Sequence, residues 1–219
     1  SLYTDLTVDE NIEFFAEIHG VTDFERKRDF LLEFSRLHSF RSTLVGHLSG
    51  GMKQKLALIC ALVYDPKILL LDEPTTGVDP VSRREFWLLL NNLVSKGLTI
   101  VLTTPYLDEA ERCHRVALIN KGKILACNRP ETLIENYKYS VVEILCEPIN
   151  RVGEILNAYA KEIQIFGDRL NVVFDEQFID INSIVNILEK ENIYVRSIQE
   201  IRPKLENLFI TLLKEEANG

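Results

Sequence analysis

The chain has 219 residues, of which 46% are hydrophobic, and its 33 acidic and 25 basic residues leave a net charge of −8. That length suits one large domain, or one domain with a small companion. The acidic balance, with 14 acids against 8 bases after Lys138, excludes the basic surface on which non-specific nucleic-acid binding rests.

The first helix is announced by TVDE at 7–10, a capping box in which Thr7 caps and Glu10 reaches back. It runs to His19 and stops at Gly20. TDFE at 22–25 reads as a second capping box, opening a helix whose apolar face carries Phe30, Leu31 and Phe34. Ser49 caps a third helix over 50–64. Three helices in a row, without a strand, occupy residues 1–64.

The pattern then changes. KILLLDE at 67–73 fits a strand buried on both faces of a parallel sheet. Pro80 suits the first turn of a helix reaching Lys96. LTIVLTT at 98–104 is the next strand, a short helix starts at Tyr106, and RVALIN at 115–120 and KILAC at 123–127 flank a Lys-Gly turn. Strand alternating with helix predicts an α/β layer over 65–137, closed by a helix at 130–137. After Lys138, strands at 141–146, 162–166, 169–174 and 193–201 alternate with helices near 149–160 and 180–190, and a final helix follows. This is a small α+β domain spanning 138–219.

Three segments carry chemistry. LSGGMKQ at 48–54 sets two glycines at a helix start, where the backbone can approach a ligand and free N–H groups favour phosphate. ILLLDE at 68–73 delivers Asp72 and Glu73 to the carboxyl edge of a sheet, where α/β folds bind ligands. One carboxylate can hold Mg²⁺ through water, and the next can orient an attacking water. DEPTTGVDP at 72–80 is a rigid turn leading from these acids into the next helix. No GxxxxGK[ST] pattern occurs: the nearest candidate, 46–51, is followed by Met52 where lysine is required.

In this order the segments resemble the ATP-binding-cassette (ABC) ATPases. LSGGMKQ is similar to the family signature, with Ser49, Gly50, Gly51 and Gln54 as its nucleotide-facing residues. ILLLDE is similar to the Walker B strand, with Asp72 the magnesium residue and Glu73 the catalytic carboxylate. TGVD resembles the loop between the two subunits of the dimer, represented by Asp79. GVDPVSRREFW and the tail further resemble ATPase subunits of ABC-2-type exporters. The resemblance covers residues 1–137 and implies the C-terminal part of a P-loop NTPase (RecA-like) domain with its helical subdomain.

Further expectations come with it. The cofactor is Mg²⁺ and the substrate ATP. The partners are a second ABC ATPase domain and a separate transmembrane permease subunit, with no nucleic acid, at the cytoplasmic face of the membrane. A soluble relative acting on ribosomes or DNA is disfavoured by the acidic balance. The apolar groove around Leu2, Tyr3 and Leu6 is a coupling surface or simple packing. In relatives the strand similar to LTIVLTT ends in a histidine that contacts the γ-phosphate; here that position is Pro105. Losing one transition-state donor costs about 2.7–4 kcal/mol, or 10²–10³ in rate. A non-hydrolysing half-site that completes a partner's site in trans is therefore the alternative. The Walker A loop and the glutamine loop are absent from these residues. The start at Ser1 reads as a truncation of roughly 90 residues, with weak ATP binding expected of the chain by itself.

Other features read blandly. The longest apolar run, at 56–64, is too short for the roughly 18 residues of a bilayer span, and no signal peptide is legible. Cys60, Cys113, Cys127 and Cys146 lack metal-like spacing and read as small hydrophobes in a reducing cytosol. His19, His38, His47 and His114 match no ligand spacing. Phe14, Phe15, Phe30 and Phe34 read as core.

Overall fold

A computed structural model describes residues 2–175 and 181–218. The contacts group the chain into two compact units, 1–105 and 106–219.

The first unit begins with α1 (Val8–Ile18), α2 (Glu25–Ser35) and α3 (Gly50–Leu62). The capping box at α1 forms on both sides, with Thr7 Oγ1 accepting from the Glu10 N–H and the Glu10 carboxylate accepting from the Thr7 N–H at 2.7 Å. These bonds hold the Glu10 carboxyl below its ordinary value. Buried Asn11 extends the closure backward, accepting from the Tyr3 N–H at 2.8 Å and donating to the carbonyls of Tyr3 and Thr7. The second expected box does not form. α2 starts from Phe24 in helical geometry with no side-chain cap, so a matching four-residue pattern is not sufficient where the preceding backbone is already helical. Its buried residues are Leu31, Leu32 and Ser35. Phe30 is 56% exposed, contrary to the core reading, and stacks on Phe34 with Lys96 above both rings.

α3 is the centre of this unit and packs against α1, α2 and α4 (Pro80–Ser95). Its sequence is apolar on several faces, as a helix surrounded by others must be, and Leu56, Ile59 and Cys60 are buried. β1 (Ile68–Asp72) and β2 (Thr99–Thr103) form a parallel pair in which Asp72 lies opposite Thr103. β1 is not buried on both faces, contrary to expectation. Leu69 is buried, whereas Ile68 and Leu70 are 60% and 75% exposed and Val101 beside them is exposed too. Period-2 alternation sends Ile68 and Leu70 to the face that no described element of the unit covers.

The second unit holds α5 (Leu107–Ala110), a hairpin of β3 (Val116–Asn120) and β4 (Lys123–Asn128), and α6 (Pro130–Glu135). Lys121 and Gly122 both take positive φ, as a two-residue hairpin turn matched to strand twist requires. β3 therefore pairs antiparallel with β4 rather than extending the parallel layer.

β5 (Tyr139–Glu147), α7 (Ile149–Leu156), β6 (Glu162–Phe166), β7 (Arg169–Asp175), α8 (Ile181–Lys190) and β8 (Tyr194–Ile201) follow. The expected helix near 180–190 corresponds to α8; its first position, Asp180, lies outside the described residues. The strands form one antiparallel sheet in the order β6-β7-β5-β8. A βαββαβ chain in this order is the ferredoxin-like arrangement. Ile144, Leu156, Leu170, Ile184 and Leu188 fill its core.

The last helix, α9 (Leu205–Asn218), turns back along the chain. Leu205 and Leu208 bury against Val116 and Leu118 of the hairpin. On its other side, buried Glu162 and Gln164 of β6 bond to Thr211 and Asn207. α9 thus joins residues before Lys138 to the sheet after it, which is why the compact unit begins at Tyr106.

Candidate functional site

β1 ends in two acids, and β2 supplies the group that orients them. Thr103 Oγ1 donates to Asp72 Oδ1 at 2.5 Å and accepts from the Glu73 N–H at 3.0 Å. The Glu73 N–H also reaches the Thr103 carbonyl at 3.2 Å. Glu73 takes a φ of +43°, a left-handed conformation that costs a side-chain-bearing residue about 1–3 kcal/mol. It turns the chain sharply out of the strand. The Thr76 hydroxyl then donates to Glu73 Oε2 at 3.0 Å. One oxygen of each acid is thereby fixed, while Asp72 Oδ2 and Glu73 Oε1 have no hydrogen-bond partner among the described residues. Both acids are exposed.

The residues at the strand end can be compared with what a metal ion would need. Among the described residues no group of three His, Cys, Asp or Glu side chains could cage an ion. A single carboxylate with an open oxygen fits a cation that keeps most of its waters and takes its other ligands from phosphate, as Mg²⁺ does.

The turn after Glu73 leads to α4. Gly77 has positive φ, and Asp79 caps α4, accepting from the N–H groups of Val81 at 3.1 Å and Ser82 at 2.9 Å. Ser82, above all, holds the Asp79 carboxyl below its ordinary 3.8. The cap therefore contributes fully above that value and is lost as pH falls through the lower, folded one.

The LSGG segment meets this same turn. Ser49 caps α3 with its hydroxyl, accepting from the Met52 N–H at 3.3 Å. Gly50 lies beside the turn, where an added Cβ would be an ordinary 3.8 Å from the Gly77 carbonyl. Gly51 has no such room. Its Cβ would fall 2.4 Å from the Cβ of Ser82 and 2.6 Å from its Oγ, so glycine is required here by the approach of α3 to α4. Ser49 and Gly50 are exposed and Gly51 is buried. Gln54 sits in the second turn of α3. Pro105 is exposed and lies two residues beyond the end of β2.

The structure therefore brings Ser49, Gly50 and Gly51 to the Asp79 turn, and it sets Asp72 and Glu73 at the strand end that leads into that turn. Thr103, Thr76 and Ser82 were not singled out by sequence. A threonine opposite the first acid of the paired strand was the available signal for Thr103. The other two need the folded turn.

A sequence model of the ABC transporter family matches residues 1–76. The chain is 52% identical over 136 residues to the probable multidrug ABC transporter ATP-binding protein YbhF of Escherichia coli (strain K12), covering 61% of this chain and 24% of that protein. It is 34% identical over 220 residues to the Nod factor export ATP-binding protein I of Rhizobium etli, covering 99% of this chain and 68% of that protein. Among solved structures, an ATP-binding subunit of an ABC transporter superposes with a TM-score of 0.55 at 31% identity, covering 63% of this chain and 58% of that one. The chain thus spans about a quarter of the length of YbhF.

Gly51→Ala is expected to force α3 from α4 at about 1–3 kcal/mol, the usual cost of overpacking, and to lower the thermal unfolding temperature. Gly50→Ala should stay near wild type, and adding Ser82→Gly to Gly51→Ala should recover part of the loss. Equal melting temperatures for the two alanine variants would contradict the close approach.

Proposed function

The chain belongs to the ATP-binding proteins of ABC transporters, and on that premise we propose that the protein is the ATP-binding and hydrolysing subunit of an ABC-2-type exporter. The observation that carries this reading is the junction of Gly51 with Ser82, which sets the LSGG helix start beside the turn leading from the Asp72–Glu73 strand end. The export named for the Rhizobium etli relative supports the direction.

In this reading two such domains enclose ATP. Asp72 would hold Mg²⁺, through water, and the ion would supply neutralisation of phosphate charge. Glu73 accepts a hydrogen bond from the attacking water and polarises it, with Thr76 and the Thr103-bound backbone fixing the carboxylate. Ser49, Gly50 and the first amides of α3 face the phosphates held by the partner domain, where a helix N-terminus favours anions. Gln54 lies behind them in the same helix. Asp79 links the two sites through the turn it caps. Closure on ATP pulls on a separate membrane subunit, which places this chain at the cytoplasmic face of the membrane. No helix among the described residues is long and apolar enough to cross a membrane. The 219 residues contain no GxxxxGK[ST] stretch, so they do not themselves supply a Walker A lysine. We treat 1–137 as belonging to the ATPase domain and 138–219 as the accessory domain, a functional division that the packing of α9 bridges.

A second reading is favoured by Pro105. Proline offers no N–H and no side-chain donor, so a γ-phosphate contact at this position is missing. The protein is then a half-site whose signature completes the site of a partner.

Two measurements on the full-length protein separate these. Glu73→Gln should lower kcat by about 10²–10⁴ with ATP still bound; an unchanged kcat would remove Glu73 from the chemistry. Pro105→His should raise kcat by about 10²–10³ if a donor is missing there. No rise would mean that Glu73 suffices and that the half-site reading falls.

A further inference from the structure

Lys55 is 8% exposed, an unusual burial for a lysine. Its ammonium pairs with the Glu85 carboxylate of α4. Glu85 also receives Arg36, from the end of α2, at 3.3 Å. Lys55 lies four residues after Gly51, and Glu85 three after Ser82. Residues so spaced share one helix face. α3 and α4 therefore meet at two successive levels, first glycine against serine and then lysine against glutamate.

The first level has no directional bond. A glycine surface lets helices approach closely but leaves them free to slide. The second is directional and partly buried. Pairs of this kind add little net stability, because removing the charges from water offsets their attraction, and their best-attested use is to fix register.

We infer that Lys55 and Glu85 are positioning residues that hold the LSGG turn at a set height along α4, relative to the Asp79 cap. This deepens the function proposed above and rests on it. In that function the first turn of α3 must meet a nucleotide held by another domain, while Asp79 is anchored on α4. A slide of α3 along α4 would displace one against the other.

The test compares Lys55→Met, Lys55→Arg, Glu85→Gln and the Lys55→Met/Glu85→Gln double variant in the full-length protein. Methionine preserves the apolar stem, and Arg36 still reaches the half-exposed Glu85 carboxylate at 3.3 Å, so Lys55→Met should still fold. Without nucleotide, amide exchange at Met52 and Lys53 should accelerate several-fold in Lys55→Met and Glu85→Gln and stay near wild type in Lys55→Arg. With ATP, kcat should fall by about 10²-fold, the effect of a misplacement near 1 Å, with KM unchanged. The double variant should be no worse than either single, since one pair is lost in each. Unchanged exchange in Lys55→Met, or additive losses in the double variant, would overturn the inference. Accelerated exchange in a protein that proves to have no ATPase activity would contradict the proposed function while supporting the positioning role.

Discussion

The contact of Gly51 with Ser82 is the constraint on which the rest of the site depends. α3 is enclosed by three other helices, and its N-terminus can reach the Asp79 turn only because nothing projects from Gly51. Any larger residue would separate the cap at Ser49 from the turn beyond Glu73. Gly50, one position earlier, meets no such limit. The two glycines of LSGG therefore differ: the second allows helix to touch helix, whereas the first has room for a side chain.

The strand-end acids depend on a second, smaller device. A parallel pair puts Thr103 level with Asp72, and one hydroxyl both donates to that carboxylate and accepts from the next backbone N–H. This lets the chain leave the strand through a strained Glu73 without losing the position of either acid. Each carboxylate is held by one oxygen and open at the other.

Much of this was legible in the sequence where local chemistry decides the outcome. Thr7 and Ser49 cap the helices they were expected to cap, and the Lys-Gly turn closes its hairpin. The βαββαβ order of the tail follows from its alternating pattern. What sequence did not supply depends on contacts distant along the chain. TDFE matches a capping box, yet the backbone at Phe24 is already helical. Phe30 is apolar but serves as a platform for Lys96 at the surface. An apolar run cannot say which face of β1 is covered. Lys55 looks like one more charge in a basic stretch until Glu85, 30 residues away, is placed against it.

The most direct test of the account is complementation between two inactive variants of the full-length protein. Glu73→Gln removes the water-orienting carboxylate of a domain's own site. Gly50→Asp should fold, because a Cβ there meets the Gly77 carbonyl only at an ordinary 3.8 Å, but it sets a negative charge where a partner's phosphate should lie. Each homodimer should be inactive. Mixed and allowed to exchange subunits, they should regain ATPase activity, because one composite site then pairs an intact Glu73 with an intact Gly50 from the other chain. If the mixture stays as inactive as its components while mixed dimers form, the LSGG turn does not act on a partner's nucleotide, and the central claim is wrong.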